Sequence, residues 1–98
     1  MTPEGKVKND IKKILKARGV YYAMPIGTGF GVAGVPDFLC CVRGKFLGIE
    51  AKAGNNKPTG LQLKHMADIR LCGGYAMVVN EDNMDELTEL LEKLTHER

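Results

Sequence analysis

Two carboxylates and a lysine, Asp37, Glu50 and Lys52, are the side chains whose types and spacing suit metal-assisted chemistry on a phosphate. Hard oxygen ligands suit magnesium, which one or two carboxylates commonly hold while several waters remain for a phosphate-bearing substrate. Like charges set directly across a strand pair repel, so a fold that places Asp37 opposite Glu50 needs a cation between them. Lys52 supplies part of that compensation, and a divalent ion supplies more. The plainer alternative is a solvated strand face with a Glu–Lys pair, the better reading of any single Glu-x-Lys. Three features narrow the choice: the facing position of Asp37, the glycine-rich approach to it, and a third carboxylate, Glu4.

The facing position follows from strand geometry. Phe38 to Val42 and Phe46 to Ala51 are short apolar runs flanking Arg43-Gly44, a pattern that predicts an antiparallel hairpin with a tight turn. If Arg43 and Gly44 form a two-residue loop, Val42 faces Lys45 and Asp37 faces Glu50. Lys52 shares their face because side chains alternate with period two. The opposite face of the second strand, Leu47, Ile49, Ala51 and Ala53, is apolar and suits a core. A slip of one residue would send every side chain to the other face.

The elements around the hairpin are read in chain order. Thr2-Pro3-Glu4 is a helix start, with a capping hydroxyl, proline at the first helical position and an acid in the first turn. Val7, Ile11, Ile14 and Leu15 then form the apolar stripe of an amphipathic helix. Glu4 falls on that inward face, where a carboxylate is unexpected, although its place near the helix dipole is an adequate structural explanation. Val20 to Ile26 reads as a strand. Gly27 to Gly34, with four glycines in eight residues, leads into a strand rather than a helix, which argues against a phosphate-binding nucleotide loop. It reads either as a flexible loop that delivers a nucleic-acid strand toward Asp37 or as an ordinary connection.

After the loop at Gly54 to Pro58, Thr59 is the expected N-cap of a helix through about Leu71. Gln62 lies at the edge of its inward stripe with Met66 and Ile69. It is a candidate partner for a metal-bound water, a substrate phosphate or Lys52, or else a helix-edge amide facing solvent. His65 falls on the outer side and receives no catalytic role. Tyr75 to Val79 is a short apolar strand. A final helix starts at Asn80 or Asp82, with Met84, Leu87, Leu91 and Leu94 as a core stripe, part of which could form a dimer seam.

At 98 residues the chain is expected to form one domain, spanning 1–98. It has no run of about 18 apolar residues and no leader-like N-terminus, so a soluble, unsecreted protein in the cytoplasm is expected, with no membrane partner. Three cysteines, Cys40, Cys41 and Cys72, lack metal-ligand spacing and read as small core residues in a reducing compartment. The formal net charge of +2 is small, but Lys6, Lys8, Lys12, Lys13, Lys16 and Arg18 crowd the start while Asp82 to Glu92 is acidic. That asymmetry suits a side that meets a phosphate backbone, or a solvated helix face. Lys6, Lys13, Thr28 and Lys57 are the candidate nucleic-acid contacts.

The order helix, strand, strand, strand, helix, strand, helix is an α/β plan. With Pro36-Asp37 followed by Glu50-Ala51-Lys52 and a helical acid upstream, it resembles the restriction-endonuclease-like PD-(D/E)xK core, a mixed β-sheet flanked by helices. The closer resemblance is to the VRR-NUC branch. Gly34-Val35-Pro36-Asp37-Phe38-Leu39, Gly48-Ile49-Glu50-Ala51-Lys52, Thr59-Gly60-Leu61-Gln62 and Gly73-Gly74-Tyr75-Ala76-Met77-Val78-Val79 look like its successive blocks and extend over most of the chain.

The resemblance implies a Mg2+- or Mn2+-dependent endonuclease. Asp37, Glu50 and the Ala51 carbonyl would carry metal, Glu4 would match the acid of the N-terminal helix, Lys52 would be the catalytic lysine and Gln62 the motif glutamine. Stand-alone members resemble Holliday-junction resolvases that act as homodimers, so a branched four-way DNA junction is the expected substrate, in a bacterial or phage-infected cell. Rival expectations are a nuclease for flaps, nicks or RNA, and a non-catalytic nucleic-acid-binding module.

Overall fold

The structure, a computed structural model, describes residues 1–26 and 31–97. Its elements are α1 (Pro3–Ala17), β1 (Tyr21–Ala23), β2 (Phe38–Val42), β3 (Lys45–Ala51), α2 (Gly60–Leu71), β4 (Tyr75–Val79) and α3 (Met84–His96). The four strands form one mixed sheet in the order β1-β2-β3-β4. Pairing is antiparallel from β1 to β3 and parallel between β3 and β4. A parallel pair needs a crossover connection, and α2 supplies it.

The hairpin sets the register of the whole sheet. Arg43 and Gly44 have φ of 52° and 83°, the two positive values that a two-residue loop matched to strand twist requires. Pairing then runs from Val42↔Lys45 to Phe38↔Ile49, as the sequence pattern predicts. Beyond the turn, the Lys45 ammonium donates to the Leu94 carbonyl at 3.1 Å and the Glu97 carbonyl at 2.9 Å. A cation on the orphan carbonyls of a helix C-terminus is favourable, and here it ties the closed end of the hairpin to α3.

The core lies on one face of the sheet. Val7, Ile11 and Leu15 of α1 and Leu87, Leu91 and Leu94 of α3 pack with Phe38, Cys40, Val42, Leu47, Ile49, Ala51 and Val79. Each large apolar side chain so enclosed contributes about 1.5–3 kcal/mol by leaving water. Tyr22 adds a tilted ring contact to Phe38, with centroids 5.8 Å apart. Leu87, Leu91 and Leu94 are fully enclosed and belong to the core, while Met84, at the start of the α3 stripe, is half-buried.

The other face of the sheet is covered by α2, whose Met66 is buried outside that cluster. Thr59 caps α2 as expected: its hydroxyl accepts from the Gln62 N–H at 3.2 Å while the Gln62 carboxamide oxygen accepts from the Thr59 N–H at 2.9 Å. This reciprocal pair satisfies two otherwise orphaned donors.

Four expectations need correction. The strand foreseen over Val20 to Ile26 covers only Tyr21–Ala23, because β2 pairs with it only through Leu39, Cys40 and Cys41. The last helix begins at Met84. Asn80 and Asp82 instead belong to a turn organised by Asn83, whose Oδ1 accepts from the Asn80 N–H at 2.7 Å and whose Nδ2 donates to the Val78 carbonyl at 2.9 Å. Of the cysteines only Cys40 is a core residue; Cys41 and Cys72 are exposed, and all three are free thiols. Burial pushes the Cys40 thiol up to about 12, which leaves it protonated and unreactive. The charge asymmetry is partly internal, since Arg18 meets Glu92 at 2.8 Å.

Candidate active site

The open end of the hairpin is where the sequence pattern places its charged residues, and the structure brings Asp37, Glu50 and Lys52 together there. Ordinary β2–β3 pairing ends at Phe38↔Ile49, which leaves the Ala51 N–H without a backbone partner on the β2 side. The Asp37 side chain supplies one: its Oδ2 accepts from the Ala51 N–H at 2.9 Å. The carboxylate is thereby fixed across from Glu50, with one oxygen used for the backbone and Oδ1 left for other work.

Two close approaches hold the segment that carries Asp37. A Cβ on Gly48 would stand 2.9 Å from Ile69 Cδ1 and 3.2 Å from Pro36 Cγ, so the bare backbone of β3 lets Pro36 lie flat on the sheet beside α2. Gly34 has φ of 85°, and a Cβ there would meet Leu61 at 2.7 Å and His65 at 3.1 Å. Gly34 thus combines an unusual φ with a close approach that seats the chain on the first turn of α2. For the same reason His65, expected on the outer side of its helix, is half-buried against Gly34.

Glu50 is the one buried charged residue among the described residues, with 2% of its surface exposed. Its Oε2 lies 3.3 Å from the Lys52 ammonium, while its Oε1 is buried with no hydrogen-bond partner among the described residues. Burial first, and then the negative charge of Asp37, raise the Glu50 carboxyl to about 7 against the opposing pull of Lys52. An unpartnered buried carboxylate oxygen costs several kcal/mol unless a proton or a cation reaches it.

Glu4 joins the site indirectly. One helical turn later on the same face of α1, the Lys8 ammonium stands 3.7 Å from Glu4 Oε2 and 3.6 Å from Asp37 Oδ1. Lys8 is the site residue that the sequence reading treated only as part of a basic cluster. Its spacing of four from Glu4 was the available signal. Gln62 is not joined to this cluster by any described hydrogen bond. Its oxygen is committed to the α2 cap, so only its amide NH2 remains for a water or phosphate. Lys6, Lys13 and Lys57 are exposed. Thr28 and the rest of Gly27 to Phe30 lie outside the described residues.

The donor set fits a hard divalent cation. Asp37 Oδ1 and Glu50 Oε1 are the two carboxylate oxygens without a claim from the backbone or from Lys52, and they belong to facing residues. The Ala51 carbonyl, at the end of β3, would be a third oxygen beside those of Asp37 and Glu50. Among the described residues no cluster of three or more His, Cys, Asp or Glu side chains suits a metal. A site of two carboxylates and several waters is the arrangement magnesium favours.

The chain also resembles a solved structure described as a VRR_NUC domain, with a TM-score of 0.69, 26% identity and 100% of both chains covered. No family model and no curated protein matches the sequence. The α-β-β-β-α-β-α order, the four-stranded mixed sheet and this full-length likeness give the chain the nuclease-like fold of a VRR_NUC domain.

Proposed function

We propose that the chain is a Mg2+- or Mn2+-dependent endonuclease that hydrolyses DNA phosphodiester bonds. The observation that carries this reading is the facing pair Asp37 and Glu50, with a buried, unpartnered Glu50 oxygen beside Lys52. A divalent ion held by Asp37, Glu50 and the Ala51 carbonyl would supply Lewis-acid charge and a water of lowered pKa.

The protein's own groups do the rest. Asp37, fixed by the Ala51 N–H, presents Oδ1 in a set direction. Lys52 is 14% exposed and held at Glu50, where it orients or helps deprotonate the attacking water, or offsets charge on the phosphate in the transition state. Glu4, brought in through Lys8, adds negative charge at the rim. The amide of Gln62 is a donor toward a phosphate oxygen or a water. Lys6, Lys13 and Lys57 project into solvent as phosphate contacts, and Thr28 is a further proposed contact.

The substrate proposed is a branched DNA, a four-way junction cut by a homodimer. The chain carries a single such cluster among its described residues, and paired symmetric cuts need two sites, which a two-fold dimer provides most simply.

The test is cleavage of end-labelled synthetic four-way junctions beside duplex, flap, nicked and single-stranded DNA and RNA controls, with Mg2+, Mn2+ or chelator. Asp37→Asn, Glu50→Gln and Lys52→Ala should each lower cleavage by roughly 10²–10³-fold or more while leaving the far-ultraviolet spectrum unchanged. Paired cuts confined to the junction support the resolvase. Cuts in the controls move the substrate, and full activity of Glu50→Gln overturns the catalytic assignment. Salt-sensitive binding without cleavage would make the chain a non-catalytic module.

A further inference from the structure

The carboxylates at the open end of the hairpin each have one oxygen already claimed. Asp37 Oδ2 is tied to the Ala51 N–H and Glu50 Oε2 to Lys52. A divalent ion would therefore approach Asp37 from Oδ1, and Oδ1 is the atom that Lys8 faces at 3.6 Å. The same ammonium is 3.7 Å from Glu4 Oε2.

Both distances exceed the 2.7–2.9 Å of a tight charge-assisted bond. Lys8 is held between two carboxylates by their joint field and locked to neither. It sits one helical turn from Glu4 within α1, so its reach is set by the helix. With 32% of the Lys8 side chain and 23% of the Asp37 side chain exposed, water and salt screen the pair less than they would a fully surface pair.

We propose that Lys8 is a resident cation at the metal-facing oxygen of Asp37, which it cedes when a divalent ion binds, so that it sets the affinity of the free protein for metal. The proposal rests on the reading of Asp37 and Glu50 as metal ligands. It assigns Lys8 a positioning role: in the metal-free protein it holds Asp37 and Glu4 together against their repulsion. In the metal-bound protein its positive charge disfavours the ion.

The experiment is calorimetric titration of Mn2+ into the chelator-stripped full chain, as wild type, Lys8→Gln, Lys8→Arg and Glu50→Gln, with thermal melts of each in chelator and in Mn2+. Lys8→Gln should bind Mn2+ about five- to tenfold tighter than wild type and show a larger metal-induced rise in melting temperature. Lys8→Arg, which keeps the charge, should match wild type, and Glu50→Gln should lose the binding. Equal or weaker binding by Lys8→Gln, with wild type binding and Glu50→Gln not, overturns the proposal alone. Binding by neither wild type nor Lys8→Gln overturns the metal site and the proposal together, whereas binding by Lys8→Gln alone supports both.

Discussion

Gly44 and Gly34 have nearly the same φ, 83° and 85°, on either side of β2, yet they stand in opposite surroundings. A Cβ on Gly44 would meet nothing within 4 Å, whereas one on Gly34 would meet the side chain and backbone of Leu61. At the closed end of the hairpin, glycine answers a local requirement of the turn. At the open end it answers a tertiary one, the seating of the segment that carries Asp37 on α2. The first end fixes the register, and the second turns that register into a site.

The difference can be measured. Gly34→Ala combines a strained φ with a clash against Leu61 backbone, and it should destabilise by about 3–4 kcal/mol, read from urea unfolding. A cost below that of Gly44→Ala would break the comparison, since it would mean that the Gly34 segment is not seated on α2.

The next effect in size belongs to Glu50. Its carboxyl, at about 7 in the folded chain against an ordinary 4.5, binds a proton that the unfolded chain has already lost between those values. The Glu50 contribution to the stability of the metal-free protein should therefore be fully present below pH 4.5 and be lost as pH rises toward and through 7, by up to about 3 kcal/mol. Comparing wild type with Glu50→Gln in chelator isolates this slope, which Glu50→Gln should lack. An identical pH profile in both would show that the open end carries no such charge conflict. Gly44→Ala, strained at φ alone, should cost about 1–2 kcal/mol without changing the site.

Much of this fold was legible because local chemistry decides it. Arg43-Gly44 between two apolar runs specified the hairpin and its register, so the placement of Asp37 across from Glu50 followed from counting alone. The Thr2 and Thr59 caps announced α1 and α2. The errors arose where partners are distant in sequence. β1 ends after Ala23, where its pairing with β2 stops at Leu39, and no pattern within Val20 to Ile26 reveals that limit.

Gln62 shows a different limit. The Thr-x-x-Gln spacing that marks a capping box was present, but the same glutamine also belongs to a family block, and the cap claims its oxygen. Lys8 was hidden among six basic residues near the start of the chain. Only the fold shows that it turns inward to Asp37 while Lys6 and Lys13 face water.

The hydrogen bond between the Ala51 N–H and Asp37 Oδ2 gives the site its own spectroscopic reporter. One carboxylate grips that amide with Oδ2 and offers Oδ1 to whatever cation is present, so any change at Oδ1 redistributes charge across both oxygens. The amide proton of Ala51 should then shift in frequency when Lys8 is replaced or a divalent ion arrives. Its exchange with solvent should slow as Asp37 becomes more firmly held. A single backbone resonance in the middle of the Glu-Ala-Lys block would thus follow occupancy of the site without a substrate or a cleavage assay.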